Sequence, residues 1–243
     1  MERCEIAALL NPLLPEPLDE GQLQLVQAYV GLLMRWNTKT NLTAIRNEKH
    51  IVLRHFGESL FAASLLLPRN SSAHVIDVGS GAGFPGLPLK IHAPAIVLTL
   101  IESQNKKATF LREVARTLRL PDVTVFQARA EQFTGPADLV MLRAVEHFAD
   151  ILPTAARLVR RAHRNEGVAI STIGENEAIE ALESGPSGER AQVTEAPGRL
   201  ALLIGKGQVE IAHELLPSFA WESPVPLPGS AARVVLVGRP ISA

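Results

Sequence analysis

The segment Asp77-Val78-Gly79-Ser80-Gly81-Ala82-Gly83-Phe84-Pro85-Gly86 constrains this chain more than any other. It follows an apolar run, residues 73–78 broken by His74, that reads as a buried strand. Four glycines among the eight residues from 79 to 86 let the backbone turn tightly and bring a flat ligand close to the main chain. The helix expected next would offer its N-terminal amides to that ligand. A nucleotide-like cofactor is the expected occupant.

One carboxylate bears on which cofactor it is. Residues 81–86 satisfy G-x-G-x-x-G, so a dinucleotide such as NAD has to be considered. Asp77, however, stands at the end of the strand, just before the first glycine. Its charge would repel a pyrophosphate and attract the ammonium group of a methionine moiety, which favours S-adenosylmethionine. A bare glycine motif also describes an ordinary tight strand–helix turn, so a second acid matters. Residues 96–101 form another apolar run, as expected of a strand covered on both faces, and Glu102 ends it. Roughly 20 residues past the loop, such an acid accepts hydrogen bonds from ribose hydroxyls. Both candidate cofactors carry that ribose, and alone Glu102 would be a common strand-end carboxylate.

The length, 243 residues, suits one α/β domain with an added helical segment, and 47% hydrophobic residues supply a sizeable core. A net charge of -1 argues against nucleic-acid binding by bulk charge, so any RNA would have to be met by local basic patches. Cys4 is the only cysteine, which excludes an intramolecular disulfide and a zinc–cysteine cluster. The opening residues do not read as a signal peptide, and no apolar run approaches the roughly 20 residues of a membrane span. A soluble cytoplasmic protein, without metal or membrane and acting as a monomer, is the expectation.

Residues 1–70 read as a helical extension. Leu23, Val26, Val30, Leu33 and Met34 recur at helical spacing over residues 21–36, and a second helix over 54–67 is stopped by Pro68. Residues 71–243 read as a Rossmann-like domain. Strand-like runs at 73–78, 96–101, 123–127, 137–142 and 168–172 alternate with helical stretches such as 106–120 and 148–163, which implies a parallel sheet with right-handed crossovers. Near the end, strands at 199–204 and 233–237 are joined by a Pro-rich segment, 216–229, rather than by a clear crossover helix. An antiparallel pair at the sheet edge is expected there, and Gly185-Pro186-Ser187-Gly188 reads as a flexible loop.

Ligands of an open sheet bind beyond the carboxyl ends of the strands, and that rule sorts the other candidates. Ala130 and Glu131 follow the third strand, where a backbone amide and a polar side chain can read an adenine edge; Glu131 reads equally as a helix-start acid. Arg143 follows the fourth strand at the crevice mouth. Lys106 and Lys107, next to Glu102, are the candidates for RNA phosphate contacts. Arg157, Arg160, Arg161 and Arg164 read as one helical face at the wrong end of the domain for catalysis, a solvated face.

Missing residues narrow the chemistry. Methylation at a pyrimidine carbon needs a cysteine nucleophile, and Cys4 is badly placed near the N-terminus. Exocyclic amine methylation commonly uses an Asn/Asp-Pro-Pro-aromatic turn after the fourth strand, where this chain reads Leu142-Arg143-Ala144-Val145. A 2′-hydroxyl target would want a lysine or carboxylate base that is not evident there. A purine ring nitrogen needs none of these, because its lone pair is already nucleophilic and positioning against a sulfonium methyl suffices.

Several motifs stand together in one order: Asn41-Leu42-Thr43-Ala44-Ile45, Arg54-His55-Phe56 with Ser59, the 77–86 loop, Lys106-Lys107 with Phe110-Leu111-Arg112, Arg129-Ala130-Glu131, and Arg143-Ala144. From about Leu23 to Gly174 the chain resembles the bacterial small-subunit (16S) ribosomal RNA guanine-N(7) methyltransferases, the GidB-like family. The resemblance implies a class I methyltransferase fold with an N-terminal helical extension, and S-adenosylmethionine as donor. It implies cofactor contacts from Gly79, Phe84, Ala130, Glu131 and Arg143, with Asp77, Gly81 and Glu102 completing the set. No catalytic residue is assigned, although Arg143 and His55 are candidates. The substrate would be a guanine in a ribosomal RNA loop, on the small ribosomal subunit or its 16S rRNA, splayed out so that N(7) meets the methyl group. Three positions depart from the family pattern. Glu58 replaces an aspartate before Ser59, Leu142 replaces a serine before Arg143-Ala144, and Thr172-Ile173-Gly174 stands where Leu-Lys-Gly ends the fifth strand. The alternatives are an S-adenosylmethionine-dependent enzyme acting on another RNA or a small molecule, a ribosome-assembly protein with vestigial catalysis, and an NAD oxidoreductase.

Overall fold

The computed structural model describes residues 1–143, 145, 147–161 and 197–241. Eight strands form one sheet in the order β3-β2-β1-β4-β5-β8-β6, with β7 also paired to β8. The strands are β1 (His74–Val78), β2 (Val97–Ile101), β3 (Val123–Phe126), β4 (Leu139–Arg143), β5 (Arg199–Gly205), β6 (Phe219–Trp221), β7 (Val225–Pro226) and β8 (Arg233–Pro240). Strands β1 to β5 run parallel, with Val75 opposite Leu98 on one side and Leu139 on the other. Strand β8 runs antiparallel between β5 and β6. The order reverses between β1 and β4, so a crevice opens there beyond the strands' carboxyl ends.

Period-two alternation divides the core between the two faces of the sheet. On one face Val75, Leu98, Leu100, Leu139, Met141 and Leu203 are buried against the N-terminal helices, α5 (Gly86–His92) and α6 (Asn105–Thr117). On the other, Ile76, Val78, Val140, Leu142 and Leu202 are buried with residues of α7 (Phe148–Arg157) and α8 (Val209–Leu215). The N-terminal region contributes α1 (Arg3–Leu10), α2 (Glu20–Asn37), α3 (Glu48–Ile51) and α4 (Glu58–Leu66), with a π-helical turn over Val52–Gly57 joining the last two. Helix α2 begins on Asp19, whose carboxylate accepts from the Gln22 N–H at 2.8 Å while Gln22 returns a bond to the Asp19 N–H. Its Val26, Tyr29, Val30 and Leu33 are buried in the same cluster as the sheet face, each worth about 1.5–3 kcal/mol as a fully buried side chain. Helix α4 ends where Leu67 turns extended before Pro68.

Three expectations change. The helix expected over 148–163 stops at Arg157, because the next residues are recruited to the sheet. Val159 bridges to Ala137, the Arg160 N–H donates to the Ala137 carbonyl at 2.9 Å, and Gly198 closes the same ladder. The four arginines therefore do not share a helical face. The Arg157 guanidinium donates to the Glu131 carbonyl, Arg160 pairs with Asp138 at 2.8 Å, and Arg164 lies outside the described residues. The link between the last two long strands contains a helix after all, α8, and the Pro-rich stretch itself supplies β6 and β7. The expected strand at 168–172 and the loop at 185–188 lie outside the described residues, and the place beside β4 belongs to residues 199–205.

Candidate functional site

The 77–86 segment closes on itself. Gly79 and Ser80 N–H groups donate to the Ile101 carbonyl, Gly83 N–H donates to Ser80, and Gly86 N–H donates to Asp77 Oδ2 at 3.0 Å. The Gly81 N–H donates to Glu102 Oε2 at 2.9 Å. Amides expected to face a ligand are thus occupied inside the loop. A pyrophosphate would have to displace a carboxylate from Gly81 and then lie beside it, which disposes of the dinucleotide reading. Gly79 adopts φ 69°, and a Cβ there would come within 2.8 Å of Val145 Cγ1. Gly83 at φ 88° lies against Tyr29 and Leu87, so a side chain has neither the conformation nor the space.

Asp77 differs from its expected role. It is fully buried under the loop rather than facing the crevice, and its Oδ1 has no hydrogen-bond partner. Burial pushes its carboxyl up to about 7, against the pull of the Gly86 amide and Arg143. Its visible work is to fix the start of α5, and a Cβ on Gly86 would fall 2.7 Å from Oδ2.

Two cavities meet over the loop, sharing Gly79 and Lys107. One, of about 510 Å³, is lined by Glu102, Ser103, Ala130, Glu131, Val145 and Asp150 among others. Glu102 is nearly buried there, its second oxygen accepting from the Gln104 N–H at 2.8 Å. Glu102, Ala130 and Glu131 line this chamber together with Lys107, Arg129, His147 and Asp150, so charges of both signs surround it. The other, of about 420 Å³, is lined by Thr43, Arg54, His55, Glu58, Phe84, Arg143 and Arg233. Lys106 is exposed and lines neither, so of the two lysines only Lys107 borders the crevice.

The second cavity has an ionic centre. Glu58 is fully buried, accepts from Arg143 at 3.0 Å and from Arg233, and is ion-paired with Arg54 at 3.3 Å. Burial pushes its carboxyl above its ordinary range while the three guanidiniums pull it down. Arg143 also donates to Ser59 Oγ at 3.2 Å and to the Arg54 carbonyl at 2.7 Å, and its guanidinium sits 5.9 Å from the centre of the Phe84 ring. Its side chain is only 7% exposed, so it is a fixed wall and not a free surface arginine. Phe84 stacks between Tyr29 at 5.4 Å and His55 at 4.8 Å, and the Tyr29 hydroxyl donates to the Ala82 carbonyl. Helix α2 therefore props the glycine loop from beneath. His55 Nε2 lies 2.7 Å from Thr43 Oγ1, its Nδ1 has no partner, and burial with nearby Arg143 pushes its pKa down to about 3.

A family model described as rRNA small subunit methyltransferase G, GidB, matches residues 22–194. The chain belongs to the rRNA small subunit methyltransferase G family. The ribosomal RNA small subunit methyltransferase G of Roseiflexus sp. (strain RS-1) is 45% identical over 149 residues, which is 59% of this chain and 63% of that protein. That of Xanthomonas campestris pv. campestris (strain 8004) is 35% identical over 210 residues, covering 86% of this chain and 94% of its own length. The fold is shared with P. horikoshii TYW2 in complex with MeSAdo, at 14% identity and a TM-score of 0.53, over 78% of this chain and 63% of that one.

Of the three departures, Glu58 is in contact with three arginines. Leu142 is fully buried in the sheet core. Residues 172–174 lie outside the described residues, and β5, the strand beside β4, ends at Gly205 and is followed by Lys206-Gly207. Sequence reasoning quoted Arg54 within a motif without giving it a role, and missed Arg233 and Tyr29, since nothing in the local pattern around either marks it.

Proposed function

We propose that this protein transfers the methyl group of S-adenosylmethionine to N(7) of a guanine in 16S rRNA of the small ribosomal subunit, in the cytoplasm. Family membership supports the substrate class. The observation that carries the chemistry is the lack of a usable proton acceptor among the described residues lining the substrate-side cavity. His55 would take a proton only near pH 3, and the one carboxylate, Glu58, is held by three guanidiniums. Such a cavity suits a nucleophile that gives up no proton, and guanine N(7) offers its lone pair as it stands.

The cofactor supplies a methyl group on a positively charged sulfur. The C–N bond forms as the S–C bond breaks, and no proton moves. Glu102 accepts the ribose hydroxyls, Ala130 and Glu131 read the adenine edge, and Gly79, Gly81 and Phe84 form the floor. Asp77 serves this site as support beneath the loop. Arg143 and His55 make a rigid wall that orients the base, which is the kind of positioning that lowers the barrier of an in-line transfer. Lys106 and Lys107 meet RNA phosphates. The N-terminal helices, residues 1–70, belong to the substrate half of the site, since they supply His55 and Glu58.

The test is transfer from labelled S-adenosylmethionine to small subunits purified from cells lacking this protein, with the product nucleoside identified. The expected product is 7-methylguanosine. A different methylated nucleoside, or no transfer by protein that binds the cofactor, overturns the reading.

A further inference from the structure

A third cavity, of about 370 Å³, adjoins the substrate-side cavity and shares Ile45 and Arg54 with it. Its other walls are Leu13, Leu53, Pro228, Gly229 and His50. These come from three distant parts of the chain: the turn after α1, the α3–π-turn segment, and the loop between β7 and β8. The walls are apolar side chains, and the polar groups at the rim are a histidine and an arginine. Among the described residues no carboxylate lines it.

Arg54 is the most exposed of the three arginines around Glu58 and the one that borders both cavities. Glu58 carries one negative charge against three guanidiniums, whose side chains are 7% exposed for Arg143, 24% for Arg233 and 48% for Arg54. The first two are locked by burial, and Arg143 by further bonds to α4. Arg54 holds the longest contact of the three and stands half in solvent, at the seam between the two cavities.

We infer that this cavity holds the base of the nucleotide next to the target guanine, with Arg54 bound to the phosphate between the two. The inference rests on the proposed rRNA methylation and adds to it a second base-binding subsite. A target base splayed from its stack leaves its neighbour unstacked on one side, and an apolar slot with cationic rim groups takes up a base and its phosphate. Arg54 borders both chambers, as a group bound to a phosphate between two nucleotides must.

The test uses the full chain with small subunits from cells lacking it. Leu53→Glu places a carboxylate in the slot without touching the cofactor half. It is expected to raise KM for subunits about tenfold, with S-adenosylmethionine affinity and kcat near wild type. His50→Glu alters only an exposed rim side chain, so folding is not at issue, and a several-fold rise in KM is expected. Leu13→p-benzoylphenylalanine, irradiated on the subunit, is expected to crosslink to a nucleotide adjacent to the methylated guanine. KM within twofold of wild type in both charge variants, or a crosslink mapping elsewhere, overturns the subsite while leaving the methylation intact. Absence of 7-methylguanosine with wild-type protein overturns the methylation reading, and the subsite with it.

Discussion

The two halves of the crevice are built on opposite plans. The chamber at Glu102 is made from short segments at strand ends, tied by bonds from backbone amides to a nearby carboxylate such as Gly81 to Glu102, 21 residues apart. Acidic and basic side chains both line it. The substrate half is a cluster of arginines around one buried carboxylate, tied by side chains 85 and 175 residues apart in sequence. One half inherits its geometry from the sheet; the other exists only when the N-terminal helices, β4 and β8 have come together. Damage to the second should therefore spread to stability, whereas damage to the first should remain largely a matter of ligand affinity.

Glu58→Ala tests this most severely. It leaves Arg143 buried without its counter-charge, which is expected to cost about 3–5 kcal/mol in urea unfolding and to abolish transfer. Stability within about 1 kcal/mol of wild type would show that the ionic centre does not hold the two parts together. Asp77→Ala should abolish measurable S-adenosylmethionine binding, because the loop loses the acceptor for Gly86 and the underside of its turn. Near-normal affinity by calorimetry would remove Asp77 from the account of the loop.

A pH comparison sets the halves directly against each other. Burial raises the Asp77 carboxyl from an ordinary 3.8 to about 7 in the folded protein, so its contribution to stability is full below pH 4 and disappears as pH rises to about 7. His55 has a folded pKa of about 3 against 6.5, so its contribution is full above pH 6.5 and is lost as pH falls towards 3. Between pH 4 and 6.5 the two nearly cancel. Relative to wild type, Asp77→Asn should gain stability with rising pH in that window and His55→Phe should lose it, each by up to about 1.4 kcal/mol per pH unit. Parallel curves for all three proteins would contradict both assignments.

Two smaller effects sharpen the boundary. Lys107→Glu should weaken both cofactor and subunit use, since Lys107 borders both cavities, whereas Lys106→Glu should raise only KM for subunits, a few-fold. Equal loss of cofactor affinity in the two variants would erase that distinction. Tyr29→Phe keeps the stack on Phe84 and deletes one hydrogen bond to Ala82, so a loss of about 0.5–1.5 kcal/mol in unfolding is expected. A larger loss would mean that the hydroxyl organises more of the loop than one carbonyl.

The parallel strands, the antiparallel end and the helices of residues 1–70 were legible because each leaves a periodic or breaker signal within a dozen residues. Helix α7 was misread at its end, where Val159 and Arg160 leave helical geometry for bonds to Ala137 that no local pattern announces. The fifth strand was sought at 168–172 because an apolar run there resembles one, although Arg199–Gly205 occupies the place beside β4. Asp77 was expected to face the ligand, whereas the structure buries it beneath the loop, where it accepts from the Gly86 N–H.

The amino-acid sequence by itself determined the sheet, the glycine loop, the family and the acid that ends β2, since all of these depend on neighbours in the chain. Only the tertiary structure decided that the loop's amides are already bonded, that Arg143 is locked on Glu58, that Arg233 joins it, and that Tyr29 supports Phe84. Such facts depend on which distant side chains share a low-dielectric space, and burial there turns an exposed charge or hydroxyl into a fixed part of the site.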